Sequence, residues 1–197
     1  SGLATFDSND GKMIESSNGQ GSVEIVHDPW RPVPSIGGHL SPLPGEAKRN
    51  KIDRRSDVAT FTSIPFENSI NLYGVPTLSL FVNSINRSFD ICIALSVIKN
   101  NNEDIHQLST GFLRLMGDTA NTMSPKKVSM QPILAQIYPG DSIRLSIAGS
   151  SWPAIGINPG NELASIGSGA ITPTCEVTTI SLSLSNSKFQ LEPLLNS

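Results

Sequence analysis

An all-β sandwich or jelly roll is the fold this sequence predicts, on three observations. Short runs of alternating apolar and polar residues recur along the chain, and a period of two places branched side chains on one face of a sheet. Gly, Pro and Asn turns separate the runs, which is the punctuation of many short strands. No segment carries a sustained, capped apolar stripe at helical spacing, so little helix is expected. With 197 residues, 38% of them hydrophobic, the chain suits one domain with one sizeable core.

Residues 1–21 are polar and rich in Ser, Asn and Gly; they read as a linker-like or flexible segment ahead of a single β-sandwich domain over 22–197. The opening SGLATFDSNDGK has neither a basic n-region nor an apolar h-region and reads as a cut made inside a longer chain. Residues 22–26 (SVEIV) form the first strand. Between 27 and 45 stand Pro29, Pro32, Pro34, Pro42, Pro44 and the pair Gly37-Gly38. Proline fixes φ and lacks a donor, so an extended connection over the surface is predicted. Irregular loops of that length are usually functional or part of an interface.

A charged cluster, KRNKIDRRSD, occupies 48–57, and strands follow at 58–63, 70–73 and 77–82. The clearest strand is 89–98, with Phe89, Ile91, Ile93, Leu95 and Val97 on one face and Asp90, Cys92, Ala94 and Ser96 on the other. One apolar and one mixed face suits one layer of a sandwich. Further strands are predicted at 110–116, 128–133, 142–148 and 176–184, after a turn at 99–104. Within 131–138, Ile133, Leu134 and Ile137 have the spacing of one helical turn. After the strand carrying Ile143, Leu145 and Ile147, Trp152-Pro153 and Asn158-Pro159-Gly160 hold a rigid, irregular loop. Binding surface tends to sit on such loops.

The formal net charge is −3 and no run of Lys or Arg exceeds two, so the footprint of a nucleic-acid binder is absent. No apolar run approaches the ~20 residues of a membrane span. With no signal segment either, a cytoplasmic location is expected over a secreted one. Ser168 lies in Gly167-Ser168-Gly169, without the spacing of a nucleophile elbow. His27, His39 and His106 have no second His at ligand spacing, and no C-x-x-C occurs, so neither metal nor cofactor is expected. Cys92 and Cys175 sit in strand-like runs as small buried hydrophobes; their pairing stays open.

Five residues are the candidates for a cleft or an interface: Trp30, Arg31, Arg55, Trp152 and Asn158. Each Trp either covers a core edge, as Trp usually does, or lines a groove shared with a partner. The Asp53, Arg54, Arg55, Asp57 knot is either surface ion pairing or an Arg fork on another domain or carboxylate.

Four segments in order carry a family resemblance. HDPWRPVPSIGG (27–38), DRRSDVATFTSIPFENSINLYGVPTLSLFV (53–82), LSTGFLRL (108–115) and PGDSIRLSIAGSSWPAIGINPG (139–160) resemble consecutive motifs of the C-terminal domain of X-Pro dipeptidyl-peptidases and cocaine-esterase-like acyl esterases. The resemblance implies a jelly roll often grouped with galactose-binding-like folds. It implies an upstream α/β-hydrolase domain in the same chain that carries the Ser-His-Asp triad, with no triad residue here. This domain would then be accessory: packing on the catalytic domain, helping to wall its substrate cleft and supporting oligomer contacts. The alternatives are a free-standing carbohydrate-binding sandwich, with Trp30, Trp152, Tyr73 or Tyr138 stacked on a sugar, or an oligomerisation module built on the 27–44 loop.

Overall fold

Alternation of apolar and polar residues becomes two facing sheets in the computed structural model, which describes residues 11–15, 21–38, 44–101, 104–162 and 171–192. The strands are β1 (Lys12–Met13), β2 (Ser22–His27), β3 (Val58–Ser63), β4 (Ile70–Ser84), β5 (Ser88–Ile98), β6 (Ile105–Met116), β7 (Ser124–Ser129), β8 (Ile133–Ile137), β9 (Ser142–Ala148) and β10 (Thr178–Glu192). One sheet has the order β1-β3-β9-β5-β6; the other runs β2-β10-β4-β7, with β8 added on β4. The predicted all-β sandwich is what forms, and among the described residues the helix is a single turn, α1 (Asp118–Asn121).

The core lies between the sheets. Phe89, Ile91, Ile93, Leu95 and Val97 of β5 meet Ile143, Leu145 and Ile147 of β9, and Ile25, Leu78, Leu80, Val82, Ile180 and Leu182 close over them from the other sheet. Each such side chain contributes about 1.5–3 kcal/mol when fully buried.

Several boundaries differ from expectation. The runs at 70–73 and 77–82 are one strand, β4, which pairs β8 through Ile70–Gly74 and then β7 through Thr77–Val82. The predicted strand at 128–133 is two pieces, β7 and β8, with Met130 between them. The helical turn in 131–138 is corrected to strand β8, with Ile133 and Ile137 buried and Leu134 81% exposed. Positions four apart satisfy a period of two as well as a helical one, and the partner strand Ile70–Gly74 decides between them. Within the segment read as linker-like, Lys12–Met13 adds in parallel to β3. Cys92 and Cys175 are free and buried.

The mixed face of β5 is covered, which alternation did not reveal. The proline-rich connection between β2 and β3 leaves one end of the sandwich, reaches the far end of β6, and returns across this face. Its backbone caps the free edge of β6 through Arg49 N–H to the Ile105 carbonyl at 2.7 Å and Gln107 N–H to the Ala47 carbonyl at 3.0 Å. That protects an edge strand from pairing with other chains. Val33, Ile52, Val58 and Ala148, with Ile36 against them, form a second apolar cluster beneath this strap. Asp53 is buried there too, accepting from Arg49 Nε at 3.0 Å and Ser146 Oγ at 2.9 Å.

Candidate functional site

The strand ends decide where the irregular segments meet. Val58 pairs with Ala148, Cys92 with Ala148, and His27 with Thr178. The exits of β2 and β9 and the entries of β3, β5 and β10 therefore share one end of the sandwich. The 28–57 strap and the 149–161 loop both start there.

These two segments are zipped together. Trp152 N–H donates to the Val33 carbonyl at 2.9 Å, Ser35 N–H to the Trp152 carbonyl at 2.6 Å, and Val33 N–H to Ser150 Oγ at 2.8 Å. Gly149 permits the approach, since a Cβ there would stand 2.6 Å from the His27 Cβ.

A buried polar network anchors the far half of the loop. The Arg114 fork holds Asp90, Nε on Oδ1 and Nη2 on Oδ2, both at 2.8 Å, and Nη2 also donates to the Gly156 carbonyl at 2.8 Å. Asn158 Nδ2 donates to Asp90 Oδ1 at 2.8 Å. Asn158 Oδ1 accepts from Ser88 Oγ at 2.8 Å and Gly160 N–H at 2.9 Å. The Asn158 carbonyl takes a bond from His27 Nε2 at 3.0 Å. Bidentate pairs of this kind combine charge with fixed geometry. The hydrogen bonds to Asp90 hold the Arg114 guanidinium more firmly protonated. Burial pushes the His27 imidazole below its ordinary value, against the opposing pull of the Asn158 carbonyl and of Asp90, Asp28 and Asp57.

The five predicted residues fall into two groups. Trp30 is 48% exposed at a turn closed by Arg31 N–H on the Asp28 carbonyl. Arg31 is exposed beside it, and its carbonyl accepts from Arg55 Nη2 at 3.0 Å. Arg55 also grips Asp57 through Nε at 2.8 Å and Nη2 at 2.6 Å, which raises its affinity for its proton. Trp152 is half-buried on the zipped loop, next to Val33 and Ser35. These four line one end of the molecule. Asn158 stands apart from them: its side chain is 0% exposed, bound to Asp90, Ser88 and Gly160, and holds the loop from beneath.

Sequence reasoning missed Asp90 and Arg114. The available signal was an opposite charge near one end of each of two apolar strands, and the two are paired across the ladder. It also missed a cavity of about 220 Å³ between the strap and the loop, over the outer face of β5 and β6. Cys92 lies on its lining, with its thiol pushed well up by burial and, less strongly, by Asp90.

His27 Nε2 is engaged by a backbone carbonyl and His106 Nδ1 by the Glu46 carboxylate. Among the described residues, no group of three or more His, Cys, Asp or Glu is placed to hold a metal ion. No helix of the described residues is long and apolar enough to cross a membrane.

Solved structures share this architecture. An aminopeptidase from a marine sediment Thaumarchaeota archaeon superposes with TM-score 0.78 at 15% identity, over 92% of this chain and 35% of that one. An α-amino acid ester hydrolase does so with TM-score 0.72 at 16% identity, over 92% of this chain and 34% of that one. A CocE/NonD family hydrolase from Staphylococcus aureus gives TM-score 0.55 at 11% identity, over 92% and 34%. The chain therefore spans about a third of the length of these proteins, and at such identities the likeness is one of fold. No curated protein matches the sequence. Residues 4–181 match the family described as the X-Pro dipeptidyl-peptidase C-terminal non-catalytic domain. With that match over nearly the whole chain, on a sandwich shared with larger hydrolases, this chain belongs to the X-Pro dipeptidyl-peptidase C-terminal non-catalytic domain family.

Proposed function

We infer that this domain packs on the catalytic part of a larger serine hydrolase and that its Trp30 and Trp152 end borders the substrate cleft. The observation that carries the reading is the rigid presentation of an exposed aromatic end. Trp30 stands 48% exposed, while Trp152 rides a loop fixed by the strap on one side and by Arg114 and Asn158 on the other. A wall of a cleft has to hold its shape, because small misplacements of bound substrate cost large factors in rate. In the whole enzyme, an upstream serine would attack an ester or amide carbonyl through a triad and oxyanion hole. The Trp end would set the size of the acyl group admitted. The names of two structural neighbours, an aminopeptidase and an α-amino acid ester hydrolase, favour aminoacyl substrates over simple alkanoyl ones.

The test is Trp152→Ala in the intact hydrolase, assayed as kcat/KM on a series of aminoacyl and alkanoyl esters of increasing acyl size. The expected result is a change in the ratio of large to small acyl groups of about 10-fold, the scale of one or two methylenes in an apolar pocket. An unchanged ratio removes the cleft-wall role.

A further inference from the structure

The cavity between the strap and the 149–161 loop has a use that the buried network does not explain. Its floor is made of small residues on one face of two neighbouring strands: Cys92 and Ala94 of β5, with Ala148 of β9 paired to Cys92. Ile36 of the strap, Ile155 of the loop and Phe112 of β6, itself 38% exposed, frame the opening. Thr110, Gln131 and Ser151 add a polar rim. Arg49, the charged side chain on the lining, is committed to Asp53 and to Gln107 Oε1. The lining mixes apolar and polar groups, and with Arg49 already paired to Asp53 an entering cation would meet no free carboxylate there, so its lost hydration would go uncompensated. At about 220 Å³ it is smaller than the roughly 300–1,000 Å³ of small-molecule sites. It has the form of the pockets that take one anchoring side chain at a protein interface, a filled apolar centre inside a polar ring.

We propose that this cavity is a socket for a single bulky apolar side chain contributed by the catalytic part of the same hydrolase chain. Two observations select that occupant. The solved relatives carry about two-thirds of their length outside the region this chain matches, so a large surface of the same polypeptide is at hand. The socket also shares the 150–155 loop with Trp152, so one surface would seat the anchor and present the aromatic wall together. The proposal rests on the reading that this end faces the catalytic part.

Two variants of the intact hydrolase test it. Ala94→Leu fills the socket from its floor. Thr110→Tyr, at the half-buried rim position paired with Ala94 across β5 and β6, covers the mouth without entering the core. Limited trypsin digestion reads how often the domains separate, because a released junction becomes cleavable. Both variants are expected to speed cleavage between the domains at least tenfold while far-ultraviolet circular dichroism is retained. If Ala94→Leu loses its fold, Thr110→Tyr decides. Cleavage at the original rate in folded Thr110→Tyr overturns the socket. So does faster cleavage accompanied by a halved mass in light scattering, which would assign the cavity to a second copy. Trp152→Ala separates the two readings: an altered acyl profile beside unchanged digestion of Thr110→Tyr keeps the cleft wall and removes the socket.

Discussion

Replacing Asn158 by alanine probes the network that shapes the loop. The side chain is fully buried and makes three hydrogen bonds, to Asp90 Oδ1 at 2.8 Å, Ser88 Oγ at 2.8 Å and Gly160 N–H at 2.9 Å. Alanine removes all three. Loss of the bond to the Asp90 carboxylate costs about 1.5–3 kcal/mol. The Gly160 N–H, on a buried residue, is left without this acceptor, at about 1–3 kcal/mol. Ser88 Oγ keeps the Asn161 carbonyl at 2.8 Å, so its loss is small. The sum is about 2.5–6 kcal/mol, a large share of the 5–15 kcal/mol that holds a typical domain. Urea unfolding of wild type and variant measures it, as a lower midpoint at unchanged slope. A loss below about 1 kcal/mol at the same slope would refute the reasoning, because net contributions of that size belong to ordinary hydrogen bonds rather than to a buried hub.

Two further expectations concern titration. His27 is buried with its pKa lowered from 6.5, so the unfolded chain takes up its proton at higher pH than the folded one. Stability is therefore full above 6.5 and falls as pH drops toward the folded value, by at most about 1.4 kcal/mol per pH unit from this group. Urea midpoints at pH 7.5 and 5.5 should show the drop, with a flatter profile in His27→Gln; equal profiles would remove His27 as its source. Burial raises the Cys92 thiol and leaves it little thiolate at neutral pH, so labelling by a thiol reagent should be slow until denaturant opens the fold. Cys92 labelling in the native chain as fast as in urea would contradict that burial.

The strands and their inward faces were legible in the chain because alternation is a local property. Phe89 to Val97 and Ile143 to Ile147 announce a buried face whatever lies opposite. The family was legible as well, since four collinear motifs carry it without any contact being known. What could not be read is the fate of the mixed face. Asp90, Cys92, Ala94, Arg144 and Ser146 make the same pattern whether they meet water or a covering segment, and here the 28–57 strap covers much of them. Asn158 shows the consequence. In the sequence it belongs to an Asn-Pro-Gly turn, which suggests surface, yet its partners Ser88 and Asp90 lie about 70 residues away. Contacts at that separation exist only once the β5 and β9 ends are brought together, and the energy of burial and of polar pairing then assigns each side chain its place.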